Sequence, residues 1–207
     1  MQLKSLLIVG AGPMGRVAFA YARDIGFDVK GFLDSRLGAL DGFDGYPPIL
    51  SSLEDYVPQP DDRFVVALGE PDLKMKYVDK VLAKGGRFAS LIHPQAYVGM
   101  NVEIGEGTIV APHASLTNDV KIGRHVLIGL NAVISHDSRI GDYVSVSPGC
   151  RVTGGCFVGA GSFLGVQSAV IPHCELGTEA PVFVAAGAIV TKSFPSGRLM
   201  GVPAVRK

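Results

Sequence analysis

His136 and Asp137 stand side by side in the stretch Ile134-Ser135-His136-Asp137. An imidazole can take up a proton near neutral pH, and a carboxylate next door favours that uptake. The pair suits a general base acting on an attacking amine or hydroxyl. It suits equally well a histidine facing solvent or a partner surface, and the two residues alone do not decide. A second grouping lies near the start, where Gly10-Ala11-Gly12-Pro13-Met14-Gly15 has the spacing G-x-G-x-x-G and Asp34 follows downstream. Glycines so spaced permit a tight turn and bring backbone close to a phosphate at a helix N-terminus. By itself that spacing is weak, since turns of this kind also occur without a ligand. Three cysteines, Cys150, Cys156 and Cys174, are too few and odd in number for a disulfide framework.

The elements around these residues sharpen the reading. Leu6–Val9 is a continuous apolar run of the buried-strand type, Arg16–Ile25 has apolar residues at helical spacing, and Val29–Leu33 reads as a second strand ending in Asp34. Phe64–Leu68 reads as a strand, Asp72–Lys84 as a helix and Phe88–Ile92 as a last strand. Leu37–Gln59, rich in Gly, Pro and Asp, reads as a loop with at most one short helix at Ser51–Tyr56. Strand, glycine turn, helix, strand and acid make a Rossmann-like half. There is no room for the second half that a whole dinucleotide needs, so a mononucleotide or nucleotide-sugar fits better.

From Val98 an aliphatic residue recurs at every sixth position through Leu176, fourteen times without a miss. Position i+4 of each hexad is small or β-branched, and position i+1 is Gly in eight of the fourteen. So strict a period predicts a parallel β-helix. The aliphatic fills the interior, the small residue fits beneath it, and Gly at i+1 is expected to relieve the corner. Three hexads make an 18-residue coil, stacked at about 4.8 Å. A two-residue insertion at Val182-Phe183 precedes a resumption at Val184 and Val190. All three cysteines fall on i+4 and read as small core residues. His136 falls on i+2 and should point outward. Gly154, 18 residues later, stacks on it, where a free N–H can hold a developing oxyanion. His113, His125 and His173 fall on i+3. With gaps of 12, 11 and 37 through His136, these histidines do not converge as a zinc site requires, and no metal is expected. His93 reads as a structural hinge.

Nineteen basic and nineteen acidic residues cancel, which argues against nucleic acid or an anionic membrane as partner. No apolar run approaches the roughly 18 residues of a membrane span. The apolar run at the start is too short for a signal peptide, and a cytoplasmic protein is expected. Of the 207 residues, 27 are Gly and only 18% are charged. That pattern fits a compact β-rich body with some apolar surface covered by another subunit.

The hexads, the Gly-rich N-terminal unit and the stretches Gly31-Phe32-Leu33-Asp34, Val66-Ala67-Leu68-Gly69, Leu91-Ile92-His93-Pro94, Ile134-Ser135-His136-Asp137 and Gly201-Val202-Pro203-Ala204 together resemble a known family. It is the NeuD/PglD-like group of sugar O/N-acetyltransferases, and the resemblance covers nearly the whole chain. It implies an α/β Rossmann-like N-terminal domain, residues 1–93, holding a nucleotide-linked amino sugar of the 4-amino-4,6-dideoxy type. It implies an all-β left-handed parallel β-helix, residues 94–207, in a homotrimer with acetyl-CoA between adjacent prisms. It assigns His136 as general base beside Asp137, and the Gly154 amide to the oxyanion. Val166 and Ala186 match backbone contacts to the pantetheine arm, and Lys192 a CoA phosphate partner, although a solvated lysine is the equal alternative. Gly12, Pro13, Met14, Asp34 and Gly69 match nucleotide-sugar positions, with Arg16 a candidate for a phosphate.

Three departures stand out. Ser145 occupies the place where many relatives carry a histidine against the acetyl group. Pro13-Met14 replaces Gly-His in the phosphate turn, and Pro has no N–H to offer. Asp34-Ser35 replaces two consecutive acids. The expected activity is acetyl-CoA-dependent N-acetylation of a nucleotide-linked amino sugar. The alternatives are O-acetylation of a sialic-acid-type sugar, or a non-catalytic nucleotide-sugar-binding module.

Overall fold

The computed structural model describes residues 5–206, in two compact units divided between Leu91 and Ile92. The first unit contains β1 (Ser5–Val9), α1 (Pro13–Ile25), β2 (Asp28–Leu33), β3 (Ile49–Ser51), β4 (Asp62–Val66) and α2 (Pro71–Ala83). Its sheet is parallel, in the order β3-β2-β1-β4. Central β1 is apolar throughout its buried length, as a strand covered on both faces must be. Leu6, Leu7, Ile8, Phe32 and Phe64 are all fully buried.

Helix α1 begins three residues before the expected Arg16, because Pro13 sits in its first turn, where no N–H is needed and φ is already helical. Strand β3 lies in the stretch expected to be a loop, paired to β2 through Phe32↔Ile49. The one short helix allowed for at Ser51–Tyr56 is not formed. Instead, the Asp55 N–H donates to Ser52 Oγ (3.1 Å), and that hydroxyl donates to Asp55 Oδ2 (2.7 Å). This local side-chain bonding gives the backbone an alternative to a helix. The strand expected at Phe88–Ile92 reduces to a bridge, Phe64↔Phe88, and a two-residue strand at Leu91–Ile92.

The second unit is a parallel β-helix built mainly of two-residue strands on three sheets. Each strand pairs with the one 18 positions on: Ile104, Ile122, Ile140, Val158 and Leu176 form one ladder, and Val98, Leu116, Ile134, Val152 and Val170 another. At the insertion the step lengthens, to Leu164↔Val184 and Val170↔Val190. The aliphatic ladder is buried from Val110 to Leu176, whereas Val98, on the terminal strand of its sheet, is 40% exposed. The cysteines are interior, as their position predicts.

One expectation is corrected. The left-handed corner residue is i+3, not i+1. Every i+3 position from Asn101 to His173 has φ between 55° and 71°. Asn, Asp, His and Gly predominate there because they tolerate this conformation best. His113, His125 and His173 thereby acquire a local reason that requires no ligand. Glycine at i+1 answers a different constraint, close approach between coils. A Cβ on Gly105 would lie 2.6 Å from the Gly123 backbone, and one on Gly129 would lie 2.7 Å from Pro148 N.

Candidate active site

The register of the ladders arranges the i+2 residues in columns along the edges of the prism. Ile134, Val152, Val170 and Val190 are buried in one ladder. Two residues beyond each of them stand His136, Gly154, Pro172 and Lys192, which form one such column. His136 projects outward, its side chain 64% exposed.

Nδ1 of His136 lies 2.7 Å from Asp137 Oδ2. A carboxylate at that distance accepts from Nδ1–H, and in the neutral imidazole with that tautomer Nε2 carries the lone pair. Asp137 holds this position from a left-handed corner, φ 61°. Gly154 packs against the ring. A Cβ there would lie 2.5 Å from His136 Cε1 and 2.6 Å from Nε2, so the imidazole needs a residue without a side chain one coil up. The Gly155 N–H donates to the His136 carbonyl (2.9 Å), and the His173 N–H to the Gly154 carbonyl (3.0 Å). These two bonds fix the backbone on either side of Gly154.

The other expected cofactor residues divide between this edge and other places. Lys192 continues the His136 edge, exposed, with Nζ 5.5 Å from the Phe194 ring centroid. Val166 and Ala186 stack on a different edge, where the Gly187 N–H donates to the Val166 carbonyl (2.8 Å). Val166 is 47% exposed. Ser145 is buried in the ladder between Leu127 and Phe163, in a sheet to which neither strand flanking His136 belongs. The cysteines offer no nucleophile. Burial pushes the Cys150 thiol up to about 11, and it raises those of Cys156 and Cys174 too.

In the first unit, Gly12 caps α1 and Pro13 and Met14 form its first turn. Asp34, at the end of β2, accepts the Ala11 N–H on Oδ2 (2.9 Å) and the Arg36 N–H on Oδ1 (2.9 Å). The Arg36 guanidinium also donates to both of its oxygens, at 3.2 and 3.1 Å. Burial alone would raise the Asp34 carboxyl, but these bonds outweigh it and hold it below the usual carboxylate range. Asp34 thus braces the glycine turn. Arg16 stacks on Phe43, Cζ 3.7 Å from the ring centroid. Asp34 and Ser35 line a cavity of about 320 Å³, together with Arg36, Glu54 and Tyr77. Gly12, Pro13, Met14, Arg16 and Gly69 are not among its lining residues.

The sequence reading misses Arg36, Glu54 and Tyr77. Arg36 carries a usable signal, a cation two residues beyond the acid that ends β2. Glu54 carries none, because it lies in a stretch without periodicity. Among the described residues, no group of three or more His, Cys, Asp or Glu is placed to hold a metal ion, and no helix is long and apolar enough to cross a membrane.

Two family profiles match the chain: the PglD N-terminal domain over residues 5–81, and the bacterial transferase hexapeptide (six repeats) over residues 119–154. PerB from Caulobacter crescentus, solved in complex with CoA and GDP-perosamine, is 31% identical with a TM-score of 0.90, covering 98% of this chain and 97% of that one. The chain belongs to the NeuD/PglD family of sugar acetyltransferases. Similar too is the acetyltransferase domain of PglB from Neisseria gonorrhoeae, at 26% identity and a TM-score of 0.90, covering 99% of this chain and 100% of the other. WeeI from Acinetobacter baumannii is 25% identical with a TM-score of 0.87, covering 97% and 98%. No curated protein matched the sequence.

Proposed function

We propose that this family member transfers an acetyl group from acetyl-CoA to the amine of a nucleotide-linked amino sugar of the 4-amino-4,6-dideoxy type. The observation that carries the proposal is the His136–Asp137 pair packed against Gly154 on one edge of the prism. The neutral amine attacks the thioester carbonyl carbon, and a C–N bond forms as its proton passes to His136 Nε2. The Gly154 N–H stabilises the oxyanion of the tetrahedral intermediate. The C–S bond then breaks, the proton on His136 passes to the departing sulfur, and CoA leaves as a thiol. Transfer is direct, since the cysteines are buried and held protonated. Similarity to PerB, whose complex contains CoA and GDP-perosamine, supports both the donor and the class of acceptor.

A homotrimer fits the placement of the cofactor residues. His136, Gly154 and Lys192 lie on one edge and Val166 with Ala186 on another, which suits one CoA molecule held between edges of two copies. Thiol release from acetyl-CoA, measured with UDP-, GDP- and dTDP-linked 4-amino sugars and with free sialic acid, tests the proposal. One nucleotide-linked amine should turn over. His136→Ala should lose roughly 10²–10⁴ of that rate at an unchanged oligomeric state. Activity within a few-fold of the unsubstituted protein would overturn the role of His136, and turnover of the free sugar alone would overturn the acceptor.

A further inference from the structure

Two acidic residues, Asp34 and Glu54, line the cavity at the end of β2, and they are held differently. Both oxygens of Asp34 are occupied by Ala11 and Arg36. Glu54 lines the same cavity from the turn after β3 and is anchored twice to the α2 end of the unit. Lys80 Nζ donates to Glu54 Oε1, and Lys84 Nζ donates to the Glu54 carbonyl (2.6 Å). Lys80 keeps the Glu54 carboxyl below its usual range, so it is an acceptor-only group. Each of its oxygens has two acceptor directions, and one that binds Lys80 can still accept a second N–H. Tyr77 and Leu53, Leu68 and Leu73 supply flat and apolar wall. Arg36 lies against the glycine turn, its Nη2 3.7 Å from where a Cβ on Gly12 would be. Gly10 of that turn lines the cavity too, so phosphates held at the turn leave the base to the Glu54 side.

We propose that Glu54 selects guanine as the base of the nucleotide-linked acceptor, its carboxylate receiving the paired N1–H and N2–H donors of that ring. This rests on the reading of the first unit as the nucleotide-sugar site. Guanine alone among the common bases presents two adjacent donors on one edge. Uracil and thymine present one N–H between two carbonyl oxygens, and those oxygens would face the carboxylate. The discrimination is thus attractive for guanine and carries a repulsive element against uracil and thymine.

Calorimetric titration of the full-length protein with nucleoside diphosphates, without acetyl-CoA, tests the inference apart from catalysis. GDP should bind at least about tenfold more tightly than UDP or dTDP. IDP, which lacks only the 2-amino group, should fall behind GDP by roughly tenfold to a hundredfold, the range for a hydrogen bond to a charged group. Glu54→Gln should reverse the order, because an amide offers one donor and one acceptor, matching O4 and N3–H of uracil. Equal binding of GDP and IDP, a preference for UDP, or an undiminished GDP preference in Glu54→Gln would each overturn the guanine assignment while leaving the nucleotide site standing. Failure of every diphosphate to bind would overturn the nucleotide site itself, and the assignment with it.

Discussion

At the residue scale, the His136 edge depends on what Gly154 lacks. The atoms a Cβ would strike belong to the imidazole ring, a side chain that can swing outward. Gly154→Ala should therefore cost little stability and much activity. Expected is a melting temperature within a few degrees of the unsubstituted protein and a kcat lowered at least about tenfold by a displaced base. A large loss of stability with kcat intact would refute this account. Asp34 gives the opposite pattern, since its bonds are internal to the first unit. Asp34→Asn keeps the shape but removes the charge that binds Arg36, at a cost of about 1–3 kcal/mol. The sign with pH follows from its depressed carboxyl. The contribution is present above the ordinary value of 3.8 and is lost as pH falls through the lower folded value. Denaturant midpoints should show this acid loss in the parent protein and a smaller one in Asp34→Asn.

At the scale of elements, the corners of the prism carry a second sequence rule beneath the hexad. Interior aliphatics are legible because a six-residue period repeats them without interruption. The left-handed i+3 residue is harder to read, since Asn, Asp, His, Gly, Tyr and Gln all occupy it and no single type announces it. Gln167, φ 55°, shows what the rule demands. A β-branched side chain is worst at positive φ, so Gln167→Val should destabilise by about 1–3 kcal/mol. Gln167→Gly should be neutral or stabilising by urea midpoint, and a stable valine variant would refute the rule. In the first unit, α1, α2, β1, β2 and β4 follow from periodicity and from Gly and Pro. Strand β3 and the Ser52–Asp55 turn do not, because three residues paired only to β2 leave no periodic trace. Glu54 is lost with them. His136 and Asp137 are readable as a pair, whereas the contact with Gly154 needs the 18-residue coil as well.

At the scale of the whole molecule, the net charge of zero conceals titrations of opposite sense in the two units. Lys74, on α2, is 2% exposed, and burial lowers its ammonium to about 7 from 10.5. Between those values the unfolded chain holds a proton that the fold does not, so stability rises with pH, by up to about 1.4 kcal/mol per unit. Below about 7 both states are protonated and the slope vanishes. Cys150 works the other way. Its thiol stays protonated in the fold up to about 11, while the unfolded thiol ionises near 9.0, so above that pH the second unit loses stability. The window from pH 7 to 9 thus isolates Lys74 from Cys150. Tyr21, Tyr46, Tyr56 and Tyr77 lie in the first unit, and only Tyr97 and Tyr143 in the second, so tyrosine fluorescence reports mainly the first. Its urea midpoint should rise across that window in the parent protein and stay level in Lys74→Met. A parallel rise in the variant would assign the effect to another group.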